Sequence, residues 1–127
     1  MRRIIENISI GSANDSRRHG EQFDRVVSLA SPTQATTDEH LIQDGEHDYS
    51  EFVAAVQKIG EALEKNQSIL VHCNAGLSRS VSATIAALVL YKDWEYEKAY
   101  QTCKSGFIHP APELQDSIDN IIEDTLE

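Results

Sequence analysis

Short apolar runs along the chain predict β-strands. Residues 4–5 and 8–10 form two such runs, and the polar pair between them favours a hairpin. Residues 23–29 contain the run Val-Val-Ser-Leu, and residues 68–72 contain Ile-Leu-Val. Continuous apolar runs of this kind are typical of parallel strands covered on both faces. A shorter run at residues 40–42 predicts a further, weaker strand.

Helical spacing of apolar residues predicts the remaining elements. In residues 50–65 and 112–125 the apolar positions recur every three or four residues, which predicts amphipathic helices. Residues 81–91 are apolar nearly all round, which predicts a central, buried helix. Residues 16–21 and 96–104 predict two shorter helices.

The order of these elements predicts an α/β domain. Strands alternate with helices early in the chain and helices dominate later, which indicates a small, mostly parallel central sheet flanked by helices, in one domain spanning residues 1–127. The helix at residues 50–65 would serve as a right-handed crossover between two strands. Ligands of such sheets bind at the carboxyl ends of strands, and Cys73 directly follows one.

The composition limits the classes of partner and the compartment that we expect for this protein. The formal net charge is −10, from 21 acidic and 11 basic residues, which argues against nucleic acid and anionic membranes. The sequence shows neither a membrane-spanning stretch nor the hydrophobic region of a signal peptide, so we expect a cytoplasmic protein. Its two cysteines, Cys73 and Cys103, favour a reducing compartment and free thiols.

The segment 72–80, His-Cys-Asn-Ala-Gly-Leu-Ser-Arg-Ser, joins a predicted strand to a predicted helix. A helix start near Arg79, inward-facing N–H groups of the loop and the Arg79 guanidinium would each lower the pKa of the Cys73 thiol. Gly76 allows the torsions of a curled loop. The planar guanidinium suits two oxygens of one phosphate. The segment therefore predicts a thiolate nucleophile beside a phosphate-binding loop.

These nine residues resemble the signature His-Cys-x5-Arg-Ser/Thr of the cysteine-based protein tyrosine phosphatase superfamily, most closely its dual-specificity branch in a small, single-domain, microbial-looking form. Segments 8–12 and 23–29 also resemble strands of that branch, so the resemblance covers most of the chain. It implies a dual-specificity-phosphatase-like fold. It also implies hydrolysis of phosphotyrosine, and of phosphoserine or phosphothreonine, in proteins through a phosphocysteine intermediate, without a cofactor.

The resemblance also implies roles for individual residues. Cys73 would be the nucleophile, and the Ser80 hydroxyl would donate to its sulfur, with a helix N-cap as the plain alternative for Ser80. His72 would perform no acid–base chemistry but would orient the loop and support the thiolate through hydrogen bonds. Phosphate or a similar anion such as sulfate would be held by the loop residues Asn74, Ala75, Gly76, Leu77, Ser78 and Arg79.

The same resemblance requires a general acid on a separate loop. Asp44 is the first candidate because it follows the strand-like residues 41–43. Asp48 is the second, although it also suits a helix cap, and Asp38 is the third. We expect His47, beside these candidates, to be a solvated loop histidine.

Several alternatives remain at this stage. The non-basic loop positions argue against multiply phosphorylated inositides as substrates, but a small-molecule phosphate stays an alternative to a phosphorylated protein. A non-catalytic phosphate- or phosphoprotein-binding module and a sulfur-transfer enzyme are further alternatives.

For Cys103, a role as a small packed residue on a helix is favoured over a role as disulfide partner of Cys73. The histidines show no zinc-type spacing, so we predict no metal. The oligomeric state is left open.

Overall fold

The structure is a computed structural model, and it describes residues 1–75, 78–106 and 108–126. Its strands, all in one sheet, are β1 (Arg2–Ile5), β2 (Ile8–Gly11), β3 (Arg25–Ser28), β4 (Asp38–Glu39) and β5 (Ile69–His72). Its α-helices are α1 (Ala13–His19), α2 (Tyr49–Glu64), α3 (Arg79–Lys92), α4 (Tyr96–Cys103) and α5 (Pro112–Leu126).

The sheet is mixed but mostly parallel, as the sequence predicts. The strand order is β1-β2-β5-β3-β4; β1 runs antiparallel to β2, and the other pairs are parallel. The apolar run of β5 lies at the centre, and every residue of that strand is buried. An all-apolar strand fits this position because helices cover both faces of a sheet of this kind.

Three parallel strands end at the same edge of the sheet. His72, the last residue of β5, is paired in register with Gly11 of β2 and with Ser28 of β3. The residues that follow these strands therefore start from one edge. Cys73 is the residue that leaves the central strand there.

Two local predictions were wrong. The strand expected at residues 40–42 is absent, and the edge strand is instead the two-residue β4, which pairs with β3. Helix α1 begins at Ala13 rather than at residue 16, because the Ser12 side chain accepts from the Asp15 N–H and the Asp15 carboxylate accepts from the Ser12 N–H. This reciprocal pair is a capping box, which fixes a helix start.

Helix α3 is the central helix of the core. Its residues 81–88 are all buried, and it packs against both α2 and α5. The nearly all-round apolar character of this stretch is thereby explained, because each face of the helix meets another element. Among the helices in the described ranges, none has the length and apolar character needed to cross a membrane.

Gly60 of α2 lies directly against the ring of Tyr91 on α3, and a Cβ atom at position 60 would overlap that ring. Overpacking costs about 1–3 kcal/mol, whereas alanine favours a helix over glycine by about 1 kcal/mol. We therefore expect Gly60→Ala to lower the free energy of unfolding by up to about 2 kcal/mol, measured by urea denaturation. In a Tyr91→Ala background the same change should be neutral or stabilising, and equal losses in both backgrounds would exclude the ring as the cause.

Candidate active site

Cys73 lies at the carboxyl end of the central strand and is held there by its neighbours in the chain. The His72 carbonyl accepts from Leu29 N–H at 2.8 Å, and the Asn74 carbonyl accepts from Ala13 N–H at 3.1 Å. The backbone on each side of the cysteine is thus tied to the segments that follow β3 and β2. The cysteine itself is only 2% exposed. Backbone hydrogen bonds on both sides of the cysteine therefore fix its position.

Ser80 places a hydroxyl beside the sulfur. Its Oγ lies 3.3 Å from Cys73 Sγ, and the Ser80 side chain is fully buried. When the sulfur is a thiolate, the hydroxyl is the donor of this hydrogen bond. The N-cap alternative for Ser80 is wrong, because the N-cap position of α3 is Ser78 and Ser80 lies within the helix.

Arg79 is the first residue of α3 and connects two parts of the site. Its Nη1 donates to the Ile42 carbonyl at 2.9 Å. Because Arg79 is the first residue of α3, its guanidinium also places a positive charge near the helix N-terminus, where the helix dipole already favours anions. The same hydrogen bond fixes the backbone two residues before Asp44. The sequence could not show this contact, since it joins residues far apart in the chain.

A cavity of about 240 Å³ opens above the cysteine. Asp44 and Arg79 both line it together with Cys73. The structure thus brings the first general-acid candidate, the predicted nucleophile and the cation to one cavity. The carboxyl group of Asp44 is on an exposed residue, so it is open to exchange a proton with a ligand in the cavity.

The side chains of the other two general-acid candidates, Asp48 and Asp38, make structural contacts elsewhere. Asp48 is the N-cap of α2, and its Oδ1 accepts from Ser50 N–H at 2.9 Å and from the Ser50 hydroxyl at 2.7 Å. These hydrogen bonds lower the pKa of Asp48, which keeps it ionised and unsuited to donate a proton. Asp38 lies in β4 and forms an ion pair with Arg25, at 3.6 Å between Oδ2 and Nε.

His72 supports the loop from inside the core. The side chain is fully buried, and burial lowers its pKa, so the imidazole is neutral. Its Nδ1 lies 3.4 Å from the Cys73 carbonyl, to which an N–H at that position donates. This contact acts on the backbone of the cysteine rather than on its sulfur. The contact fits a role in orienting the loop, and support of the thiolate by His72 stays a prediction.

The loop residues after the cysteine are described in part. Asn74 and Ala75 are exposed, whereas Ser78 is buried and its Oγ accepts from Ala111 N–H at 3.2 Å. Gly76 and Leu77, two of the predicted phosphate-binding residues, lie outside the described residues. The hydrogen bond from Ala111 ties the loop to the chain just before α5.

One wall of the cavity was missed by sequence reasoning. Ile108, His109 and Ala111 line it together with the cysteine loop, and Ile108 is 44% exposed. The His109 ring stacks on Tyr100 and its Nδ1 is hydrogen-bonded to the Tyr100 hydroxyl. A segment without apolar periodicity gives no sequence signal for such a position; only the tertiary structure brings it to Cys73.

His47 is not a solvated histidine, so that expectation was wrong. Its Nδ1 is 2.6 Å from the Gly45 carbonyl and its Nε2 is 2.7 Å from the Ser117 hydroxyl on α5. The ring also lies beside buried Phe52, with ring centroids 6.0 Å apart. Among the described residues, no group of three or more His, Cys, Asp or Glu side chains is arranged to hold a metal ion.

Cys103 is a packed thiol on α4. It is fully buried, and burial raises its pKa to about 12. A thiol with this pKa remains protonated at neutral pH, and only the thiolate reacts readily. Cys73 and Cys103, both in the described part of the chain, are not joined to each other by a disulfide.

We therefore expect iodoacetamide at neutral pH to modify Cys73 in the native protein while sparing Cys103. Mass spectrometry of the two cysteine peptides measures this, with urea-unfolded protein as the control in which both thiols react. Labelling of Cys103 at the same rate in native and unfolded protein would contradict the buried position.

Comparison with known proteins shows the family of the chain. The family model described as "Dual specificity phosphatase, catalytic domain" matches residues 14–118. Dual specificity protein phosphatase 22 of Homo sapiens is 38% identical over 98 residues, covering 75% of this chain and 47% of that protein. A protein of Invertebrate iridescent virus 6, named as a tyrosine phosphatase, is 28% identical over 108 residues, covering 80% of this chain and 76% of that protein.

Solved structures show the same fold. The crystal structure of human DUSP28 superposes with a TM-score of 0.81 at 18% identity and covers 98% of this chain and 96% of that one. The crystal structure of DUSP15 has a TM-score of 0.78 at 19% identity and covers 95% and 86% of the two chains. The extent of the family match and the cysteine site together show that the chain belongs to the dual-specificity branch of the cysteine-dependent protein phosphatases.

Proposed function

We propose that this protein removes phosphate from phosphotyrosine, and from phosphoserine or phosphothreonine, of protein substrates through a phosphocysteine on Cys73. The observation that carries the proposal is the shared cavity of Cys73, Arg79 and Asp44, with the Ser80 hydroxyl 3.3 Å from the sulfur. A nucleophile, a cation and a proton donor around one cavity meet the needs of phosphoryl transfer. The steps below follow from these positions.

In the first step the Cys73 thiolate attacks phosphorus. The sulfur–phosphorus bond forms while the bond to the leaving oxygen breaks, and the protonated Asp44 carboxyl gives that oxygen its proton. Arg79 and the start of α3 stabilise the charge on the transferring oxygens. The positive groups need not move during the reaction to stabilise this charge, because the helix already fixes the position of the arginine backbone.

In the second step water attacks the phosphocysteine. Asp44, now a carboxylate, takes the proton from the water, and the sulfur–phosphorus bond breaks to release phosphate. The Ser80 hydroxyl donates to the departing sulfur and so favours the thiolate as the leaving group. Asp44 ends the cycle protonated and Cys73 ionised, ready for another substrate.

The loop chemistry supports singly phosphorylated groups as substrates. Among the described loop positions, Asn74, Ala75 and Ser78 carry no positive charge to hold a second phosphate. Several relatives are named dual specificity protein phosphatases, which favours phosphorylated proteins for this chain. The chain spans less than half of some of these relatives, so their substrates enter here as part of the proposal.

The proposal also includes the cellular location and the domain organisation of the enzyme. A cytoplasmic location suits a reaction that needs Cys73 as a reduced thiolate, since that compartment keeps thiols reduced. One core that includes residues from Ile8 to Ile121 supports residues 1–127 as one catalytic domain.

Hydrolysis of a chromogenic aryl phosphate in the presence of a chelator tests the reaction. We expect turnover without metal, and no turnover would refute the proposed enzyme. Matched peptides carrying phosphotyrosine, phosphoserine or phosphothreonine then test the substrate class. Release from phosphotyrosine peptide supports the proposal, whereas activity on aryl phosphate alone would favour the small-molecule alternative.

A further inference from the structure

We infer that His47 is a positioning residue that holds the proton donor Asp44 over Cys73 by fastening residues 43–48, here called the acid loop, to helix α5. The inference rests on the proposed role of Asp44 and extends it. It assigns to His47 a task that the sequence pattern did not indicate.

The backbone around Asp44 is fixed on both sides. The Gly45 N–H donates to the Gln43 carbonyl at 3.0 Å, which closes a tight turn with Asp44 at its centre. Gly45 has a φ of +146°, a conformation that favours glycine. On one side of this turn Arg79 holds the Ile42 carbonyl, and on the other His47 holds the Gly45 carbonyl.

Both ring nitrogens of His47 are hydrogen-bonded. The Gly45 carbonyl only accepts, so Nδ1 of His47 carries the proton and donates at 2.6 Å. Nε2 is hydrogen-bonded to the Ser117 hydroxyl at 2.7 Å. The imidazole thus connects the carbonyl next to Asp44 with a side chain of α5.

The anchor at the other end is buried. Ser117 is 5% exposed on α5, and the neighbouring Ile118 is fully buried in the core. The His47 ring also lies beside Phe52 of α2, which is fully buried. An exposed loop is thereby tied to two helices of the core through one side chain. Both hydrogen bonds are partly buried, where they compete less with water than surface bonds do.

Misplacement of a proton donor has a specific kinetic signature. A poor leaving group, such as phenol or tyrosine with a pKa of about 10, needs the proton, whereas a dinitrophenolate leaves without it. Loss of positioning should therefore reduce kcat/KM selectively for the poor leaving group. A merely structural defect lowers the amount of active enzyme and affects both substrates equally. kcat/KM reports the step in which the leaving group departs.

The test compares phenyl phosphate with 2,4-dinitrophenyl phosphate in four variants. We expect His47→Phe to lower kcat/KM for phenyl phosphate by about 10- to 100-fold and to change the dinitrophenyl ester less than about threefold. His47→Asn, which keeps a donor near the Gly45 carbonyl, should recover most of the loss. Ser117→Ala should show the same selectivity with a smaller, several-fold effect. His19→Phe, on α1 outside the site, serves as the matched control and should leave both substrates unchanged.

Equal losses on the two esters in His47→Phe, or full activity on both, would overturn the inference. If His47→Phe does not fold, Ser117→Ala decides by the same selectivity. The proposed function fails separately: an inactive wild-type protein refutes the enzyme, and an Asp44→Asn variant without leaving-group selectivity refutes the proton donor. A selective Asp44→Asn variant beside an unselective His47→Phe variant refutes the positioning role alone.

Discussion

Cys73→Ser is expected to abolish turnover of aryl phosphates, with a loss on the order of a million-fold, the scale set by removal of a covalent nucleophile. A serine hydroxyl at this site would not ionise at neutral pH, so the first bond to phosphorus would not form. The fold should persist, because serine is smaller than cysteine and the backbone on both sides is hydrogen-bonded to β-strand ends and α1. Steady-state hydrolysis and circular dichroism measure the two effects.

The second thiol provides the matched control. Cys103→Ser changes a buried cysteine on α4, outside the cavity, and should keep turnover within a fewfold of the wild-type protein. Activity that survives Cys73→Ser, or that disappears equally with Cys103→Ser, would refute Cys73 as the nucleophile.

Asp44→Asn is expected to lower kcat/KM for phenyl phosphate by about 100- to 10,000-fold, the range of general acid catalysis. Asparagine keeps the size of the side chain but has no proton to give to the leaving oxygen. Binding of inorganic phosphate should persist, since the loop and Arg79 hold the anion. Kinetics with esters of different leaving-group pKa and calorimetric titration with phosphate separate the two effects.

Asp48→Asn is the matched control on the same loop. Asparagine caps a helix about as well as aspartate, so the thermal midpoint should change little and most turnover should persist, since Asp48 bonds to Ser50. The reverse pattern, with little effect at Asp44 and a large loss at Asp48, would transfer the acid role to Asp48.

The strand-to-helix arrangement could be predicted because local patterns dictate it. The all-apolar residues 69–71 required a strand covered on both faces, and the all-round apolar stretch after Arg79 required a central helix. The capping box of Ser12 and Asp15 was visible in the sequence as Ser-x-x-Asp, yet the helix was placed too late. The two-residue strand β4 is too short to have any period.

The long-range part of the site could not be predicted. His47 and Ser117 are 70 residues apart in the chain, and the contact of Arg79 with the Ile42 carbonyl spans 37 residues. Neither contact follows from residue type or spacing. The cavity wall at Ile108 and His109 likewise depends on how α4 and α5 pack against the rest. Local sequence patterns predict the nucleophile, whereas tertiary packing decides which of the candidate carboxyl groups shares a cavity with it.

The central claim is that the phosphoryl group passes through Cys73, and trapping the covalent intermediate tests it most directly. Ser80→Ala removes the hydroxyl 3.3 Å from the sulfur, so breakdown of the phosphocysteine should slow and the intermediate should accumulate. Rapid acid quenching during turnover, followed by peptide mass spectrometry, should place one phosphoryl group on Cys73. Turnover with the phosphoryl group on another residue, or on none, would contradict the account.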